Sequence, residues 1–226
     1  MKKAKCLKRI SALVLFLAAM TSVSAVSWKV GTFLGARYRS TSSSLFSYGA
    51  FAAVDDLSFN FSAIGAEDFA ATLSYDLKVG KTIHNYFTIH TDNVPGEGGF
   101  STLSYLFSQH FKSRHLFFSY ALGVQGGISY SPFSPPFFSL IPAYDLRVGF
   151  CLSPFSLSIY TTTAMSETIE WKMVLNSGLS AVIAISEKQS VFVDTFIVLD
   201  NLMDVSNYLL SGWALRVGYA YKGGAL

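Results

Sequence analysis

Beyond residue 25 the chain holds one cysteine, Cys151, so no disulfide within it can staple the fold. Charge is scarce as well. Asp, Glu, Lys and Arg make up 14% of the sequence, against about 25% in a typical soluble domain. Long apolar runs are missing too: nothing after the N-terminal segment approaches the roughly 18 to 20 consecutive apolar residues of a membrane-spanning helix. The histidines are scattered without ligand spacing, which leaves no expectation of a metal, and no motif implies another cofactor. What is present is apolar and aromatic: 51% hydrophobic residues, with 20 Phe and 12 Tyr. A hydrophobic chain without hydrophobic helices points to a membrane barrel, because lipid accepts only helices or closed sheets.

Residues 1–25 read as a cleaved secretory signal peptide. Lys2, Lys3, Lys5, Lys8 and Arg9 precede an apolar run from Leu13 to Met20, and Val23-Ser24-Ala25 supplies a small-residue cleavage site. Cleavage removes five of the 17 basic residues and none of the 14 acidic ones, so the basic excess belongs to the signal. Nucleic acid is therefore not an expected partner. Residues 26–226 are expected to form one domain.

The stretch "WALRVGYAY" (213–221) alternates Trp213, Leu215, Val217, Tyr219 and Tyr221 with Ala214, Arg216, Gly218 and Ala220. Period 2 marks a strand whose two faces meet different surroundings. The same pattern runs through "WKVGTFLGARY" (28–38), with Thr32 and Phe33 as exceptions, through "FAATLSYDLKVG" (69–80), and through "LFFSYALGVQGGISY" (116–130). Ten such segments are expected, near 28–38, 51–64, 69–80, 100–111, 115–130, 143–152, 155–163, 173–185, 190–200 and 208–222. The predicted fold is thus an all-β, antiparallel, up-and-down transmembrane barrel of ten strands, with eight as the alternative. Short connections at 65–68, 112–114, 153–154 and 186–189 alternate with longer ones at 39–50, 81–99, 131–142, 164–172 and 201–207. That asymmetry distinguishes tight periplasmic turns from external loops, and it puts both termini on the periplasmic side.

Trp28 and Tyr38 share a face, and at about 3.4 Å per residue and a tilt near 40° they would lie roughly 26 Å apart along the membrane normal. An apolar band flanked by aromatic girdles has that height. A soluble lipocalin-like barrel needs a charged exterior, which these Gly/Ser/Ala faces do not supply. The bulky faces should therefore meet lipid and the small ones a narrow lumen, with a secreted β-sandwich as the weaker alternative. "YDLKVG" (75–80), "YDLRVG" (144–149) and "WALRVG" (213–218) recur 69 residues apart, yet in a ten-strand count the first runs opposite to the other two. That direction conflict argues against a simple duplicated unit.

On its signal peptide, its dyad repeat over nearly all of 28–222 and its terminal strand "WALRVGYAY", the chain resembles small bacterial outer-membrane β-barrel proteins, the OmpA- and OmpW-like group. The resemblance implies the outer membrane of a diderm bacterium as location. Outer-membrane lipid and the barrel-assembly machinery are the partners it implies. Barrels of this kind usually end in an aromatic residue that the machinery reads; here Tyr221 is followed by "KGGAL".

The candidate lumen residues are Lys29, Arg37, Lys78, Arg147 and Arg216 with Asp76, Asp145 and Asp194. Unpaired charges in a narrow lumen are costly, so cross-lumen ion pairs are the default expectation. A constriction passing small solutes is the alternative. The stretch "SPFSPPFFSLIP" (131–142) is expected to be an apolar external loop, with Phe133, Phe137 and Phe138 as binding candidates for a solute or an extracellular ligand. Catalysis is not expected. His84, His90 and Asp92 fall in a predicted loop without an acidic pair, Asp55-Asp56 would point to opposite faces of a strand, and Ser108 with His110 lacks a third member. Two functions follow as expectations: a narrow passive pore for small or hydrophobic solutes, or a surface adhesin or structural barrel with a plugged lumen acting through its loops.

Overall fold

The computed structural model describes residues 26–39, 46–65, 68–94, 98–165, 173–200 and 209–224. The signal-peptide reading of 1–25 lies outside these residues. The described residues form twelve strands: β1 (Trp28–Arg39), β2 (Phe46–Val54), β3 (Leu57–Ile64), β4 (Asp68–Val79), β5 (Ile83–Val94), β6 (Gly98–Lys112), β7 (Leu116–Ser131), β8 (Ser134–Leu152), β9 (Phe155–Met165), β10 (Met173–Ala184), β11 (Gln189–Asp200) and β12 (Leu209–Gly223). Each pairs antiparallel with its sequence neighbour, and β1 pairs with β12, so the sheet closes on itself. Closure removes every free edge within the paired region.

Twelve strands overturn the expectation of ten or eight, and both missed strands have a physical reason. The segment 51–64 is two strands, because Asp55-Asp56 forms the turn between β2 and β3, with Asp55 at φ 48°. Aspartate tolerates that left-handed region, so the turn needs neither Gly nor Pro and leaves no breaker in the sequence. β5 lies inside the predicted loop 81–99. Its alternation is blurred by Asn85 on the lipid side, which accepts a hydrogen bond from the Tyr105 hydroxyl at 2.8 Å, and by Tyr86 on the lumen side. With these two strands added, the three hexamers fall in β4, β8 and β12, the first running one residue past β4, four strands apart and all running the same way. The direction conflict disappears.

Bulky apolar side chains cover the outside. Leu34, Leu73, Leu103, Leu122, Val148, Ile159 and Leu215 are all exposed, a surface that water does not tolerate and lipid does. Aromatic residues bound this belt, with Tyr38 opposite Trp213 at one end and the Trp28 and Tyr221 rings 5.5 Å apart at the other. Outward polar groups satisfy each other, as in Ser177 with Thr161 and Thr91 with Ser101, both at 3.1 Å, since lipid offers them no partner. A folded sample is therefore expected to stay soluble only in detergent and to change its gel mobility on boiling. A monodisperse, detergent-free protein would reverse the assignment of outside and inside.

The turns at the end bearing both termini are 55–56, 80–82, 113–115, 153–154 and 185–188. At the far end the predicted loop 131–142 is no loop but the top of a hairpin, closed by a turn at 132–133. β8 pairs with β9 only from Asp145 to Leu152. Above that, Ser134–Tyr144 pairs in the ladder with β7, and Tyr144 reaches β9 through side chains, its N–H donating to Thr163 Oγ1 and its carbonyl accepting from Thr162 Oγ1, each at 3.0 Å. Pro135, Pro136 and Pro142 sit along this edge, where a residue without an N–H costs no ladder bond.

Candidate functional site

The inner face is built from glycine–aromatic pairs directly across the ladders: Gly31 with Phe51, Gly49 with Phe33, Gly149 with Phe117, Gly178 with Tyr160 and Gly218 with Phe192. A β-carbon at any of these glycines would run into the partner ring. The rings therefore lie flat along the wall instead of crossing the lumen, an arrangement known to support glycines in sheets. Phe33, an exception to the alternation of its strand, is one of them and is 4% exposed.

A cavity of about 400 Å³ lies against this wall. Lys29, Arg147 and Arg216 line it together with Asp145 and Asp194, and Phe33, Phe51, Tyr160 and Phe192 form its apolar part. Each cation rests on a ring: Lys29 Nζ lies 5.6 Å from the centre of Phe51, Arg147 Cζ 5.1 Å from Tyr160, and Arg216 Cζ 5.2 and 4.9 Å from Phe33 and Phe196. Such contacts hold a desolvated cation without a counter-ion. The Tyr160 hydroxyl donates to Asp194 at 3.1 Å. Lys78 is ion-paired with Asp56, and His84 Nδ1 meets the Asp76 carboxylate, both toward the end bearing the termini. The default expectation of cross-lumen ion pairs thus does not describe the three cavity cations. Arg37 faces inward opposite Ala214, away from this cavity, and has an interaction of its own.

Sequence reasoning missed a second polar group. His84, His90 and Asp92 belong to inward-facing positions of β5, not to an outer loop. His84 Nδ1 meets both Asp76 oxygens at 2.9 Å, its ring is 4.2 Å from that of His110, and His110 Nε2 meets Ser108 Oγ and the Tyr86 hydroxyl at 3.0 Å each. The signal was a period-2 row, His84, Tyr86, Thr88, His90, Asp92, read across from Ser108 and His110. Ser108 is less than 2% exposed and bonds the Tyr120 carbonyl at 3.0 Å, so in this arrangement its hydroxyl is closed to a substrate. Asp55 and Asp56 lie in a turn and not on two faces of a strand.

The other candidate positions are at the far end. Phe133 is in the hairpin turn and 85% exposed, Phe138 is on the outer face and 70% exposed, and Phe137 is opposite Ser129 on the inner face.

No family model matches the chain, and no curated protein matches it. Solved structures do. The NanC porin is 11% identical, with 85% of this chain and 98% of that one covered and a TM-score of 0.55. The KdgM porin is 9% identical over the same shares, with a TM-score of 0.51. KdgM in complex with a disordered oligogalacturonate is 8% identical, again over 85% and 98%, at 0.51. At such identity the likeness is one of fold. A closed twelve-stranded sheet, apolar outside and polar inside, of the fold seen in these porins is an integral outer-membrane β-barrel. The likeness supports small outer-membrane barrels as a class, not the OmpA- and OmpW-like group in particular.

Proposed function

We propose that the protein is a narrow passive pore through which small or hydrophobic solutes cross the outer membrane. The observation that carries this reading is the 400 Å³ cavity inside a closed barrel, lined by cations that rest on wall aromatics and do not bridge the lumen. The shared fold with the NanC and KdgM porins supports it. Planar-bilayer conductance tests it. Discrete steps are expected, and Arg147→Ser or Arg216→Ser should shift their ion preference toward cations, because charged linings set selectivity. Correctly folded protein that stays electrically silent would sink the pore. The reading also makes the barrel-assembly machinery the route of insertion.

A second reading, surface binding through the β7–β8 hairpin, is favoured by the exposure of Phe133 and Phe138. It expects Phe133→Ser with Phe138→Ser to abolish attachment of cells to an extracellular surface while leaving conductance unchanged. Equal attachment by the double variant would remove it.

A further inference from the structure

We propose that the lumenal cavity is a saturable site for small organic carboxylates with an apolar or aromatic body. The inference rests on the pore reading and names its solute class. Three observations converge on it. First, Lys29, Arg147 and Arg216 outnumber Asp145 and Asp194 around the cavity, and among the described residues none of the three is in an ion pair. Asp194 already accepts the Tyr160 hydroxyl.

Second, each guanidinium lies over a ring, with Cζ 5.1 Å from the ring centre for Arg147 and 5.2 and 4.9 Å for Arg216. A cation–π contact supplies no hydrogen-bond acceptor to the five N–H groups of a guanidinium, whose fork matches a carboxylate. Arg216 Nε is buried and meets no acceptor, a state that costs free energy until one arrives. Third, the remainder of the cavity is apolar ring: Phe51 and Phe192 lie 5.8 Å apart, edge to face, each over a glycine of the neighbouring strand. Cations then fix the charged end of a solute and the rings take its body, within a volume at the small end of ligand pockets.

The test uses detergent-folded full barrel in bilayers and in titration calorimetry. Benzoate is expected to block chloride current saturably and to bind with measurable heat. Acetate lacks the body, benzyl alcohol the charge and gluconate the apolar surface; all three should block at least about tenfold more weakly, benzyl alcohol for want of a charge-assisted hydrogen bond, acetate and gluconate for want of a buried ring. Arg147→Ser and Phe192→Ser should each raise the half-blocking benzoate concentration by a similar factor, with gel mobility confirming that both variants fold. Glu187→Gln, in the 185–188 turn, should not change it. Gluconate blocking as well as benzoate, or benzyl alcohol doing so, overturns the proposal, as does block indifferent to Arg147→Ser. Benzoate that binds by calorimetry to a barrel without conductance upholds the site and removes the pore; conductance that benzoate leaves untouched removes the site and keeps the pore.

Discussion

Leu122→Arg is expected to destabilise the barrel by about 2–4 kcal/mol, the cost of a cation on the lipid face near the bilayer midplane. Leu122 is seven residues into β7 and 56% exposed on the outer face, with Tyr144 and Phe107 as its cross-strand neighbours. Aromatic and apolar side chains around it give an arginine no counter-charge, and from mid-strand its head group has the furthest to reach for water. Urea unfolding of the refolded protein in lipid measures the loss. Ser119→Arg, three residues away in the same strand, tests the other face. Ser119 is buried against the lumen directly opposite Arg147, so an added cation meets like charge and limited space but also the polar interior. It should alter conductance more than stability. Tolerance of Leu122→Arg together with collapse on Ser119→Arg would mean that the faces are reversed.

The second large effect is expected from Gly218→Val. A β-carbon here would collide with the Phe192 ring and come within 2.5 Å of the Thr32 carbonyl oxygen. Overpacking a wall of this kind costs about 1–3 kcal/mol. The ring can escape only away from the wall, into the cavity that it lines. Loss of stability and a drop in single-channel conductance should therefore appear together. Adding Phe192→Ala should restore conductance and recover part of the stability, the rest being held by the backbone contact with Thr32. Gly218→Val with unchanged conductance would show that the glycine does not hold the ring against the wall.

The environment of the chain was legible in local sequence, because each strand carries its own record of it. The alternation in 213–221 needs no partner to show that one face is bulky and the other small, and scarce charge with no apolar helix leaves lipid as the solvent of the bulky face. Alternation also tells which residues share a face, so Arg147 and Arg216 belong with the small residues of their strands whatever the strand number. The same reasoning failed where a strand mixes its faces. Asn85 and Tyr86 blurred β5, Asp55-Asp56 closed a hairpin without a glycine or proline, and the proline-bearing stretch 134–143 looked like a loop although it is the half-paired top of β8.

Strand number and the meeting of residues were decided by the tertiary structure alone. Closure is a property of the whole ring: β1 must find β12, and the registers of twelve ladders together determine which inward side chains come to the same part of the lumen. No single strand records that Arg147 would rest on Tyr160, that Tyr160 would bond Asp194, or that Arg216 would lie between Phe33 and Phe196. Phe33 broke the pattern of its strand for a reason located in two others, the glycine at position 49 and the arginine at 216. Period 2 is local, so sequence alone determined the faces; the site depends on registers accumulated around a closed sheet, and only the fold could bring its cations and rings together.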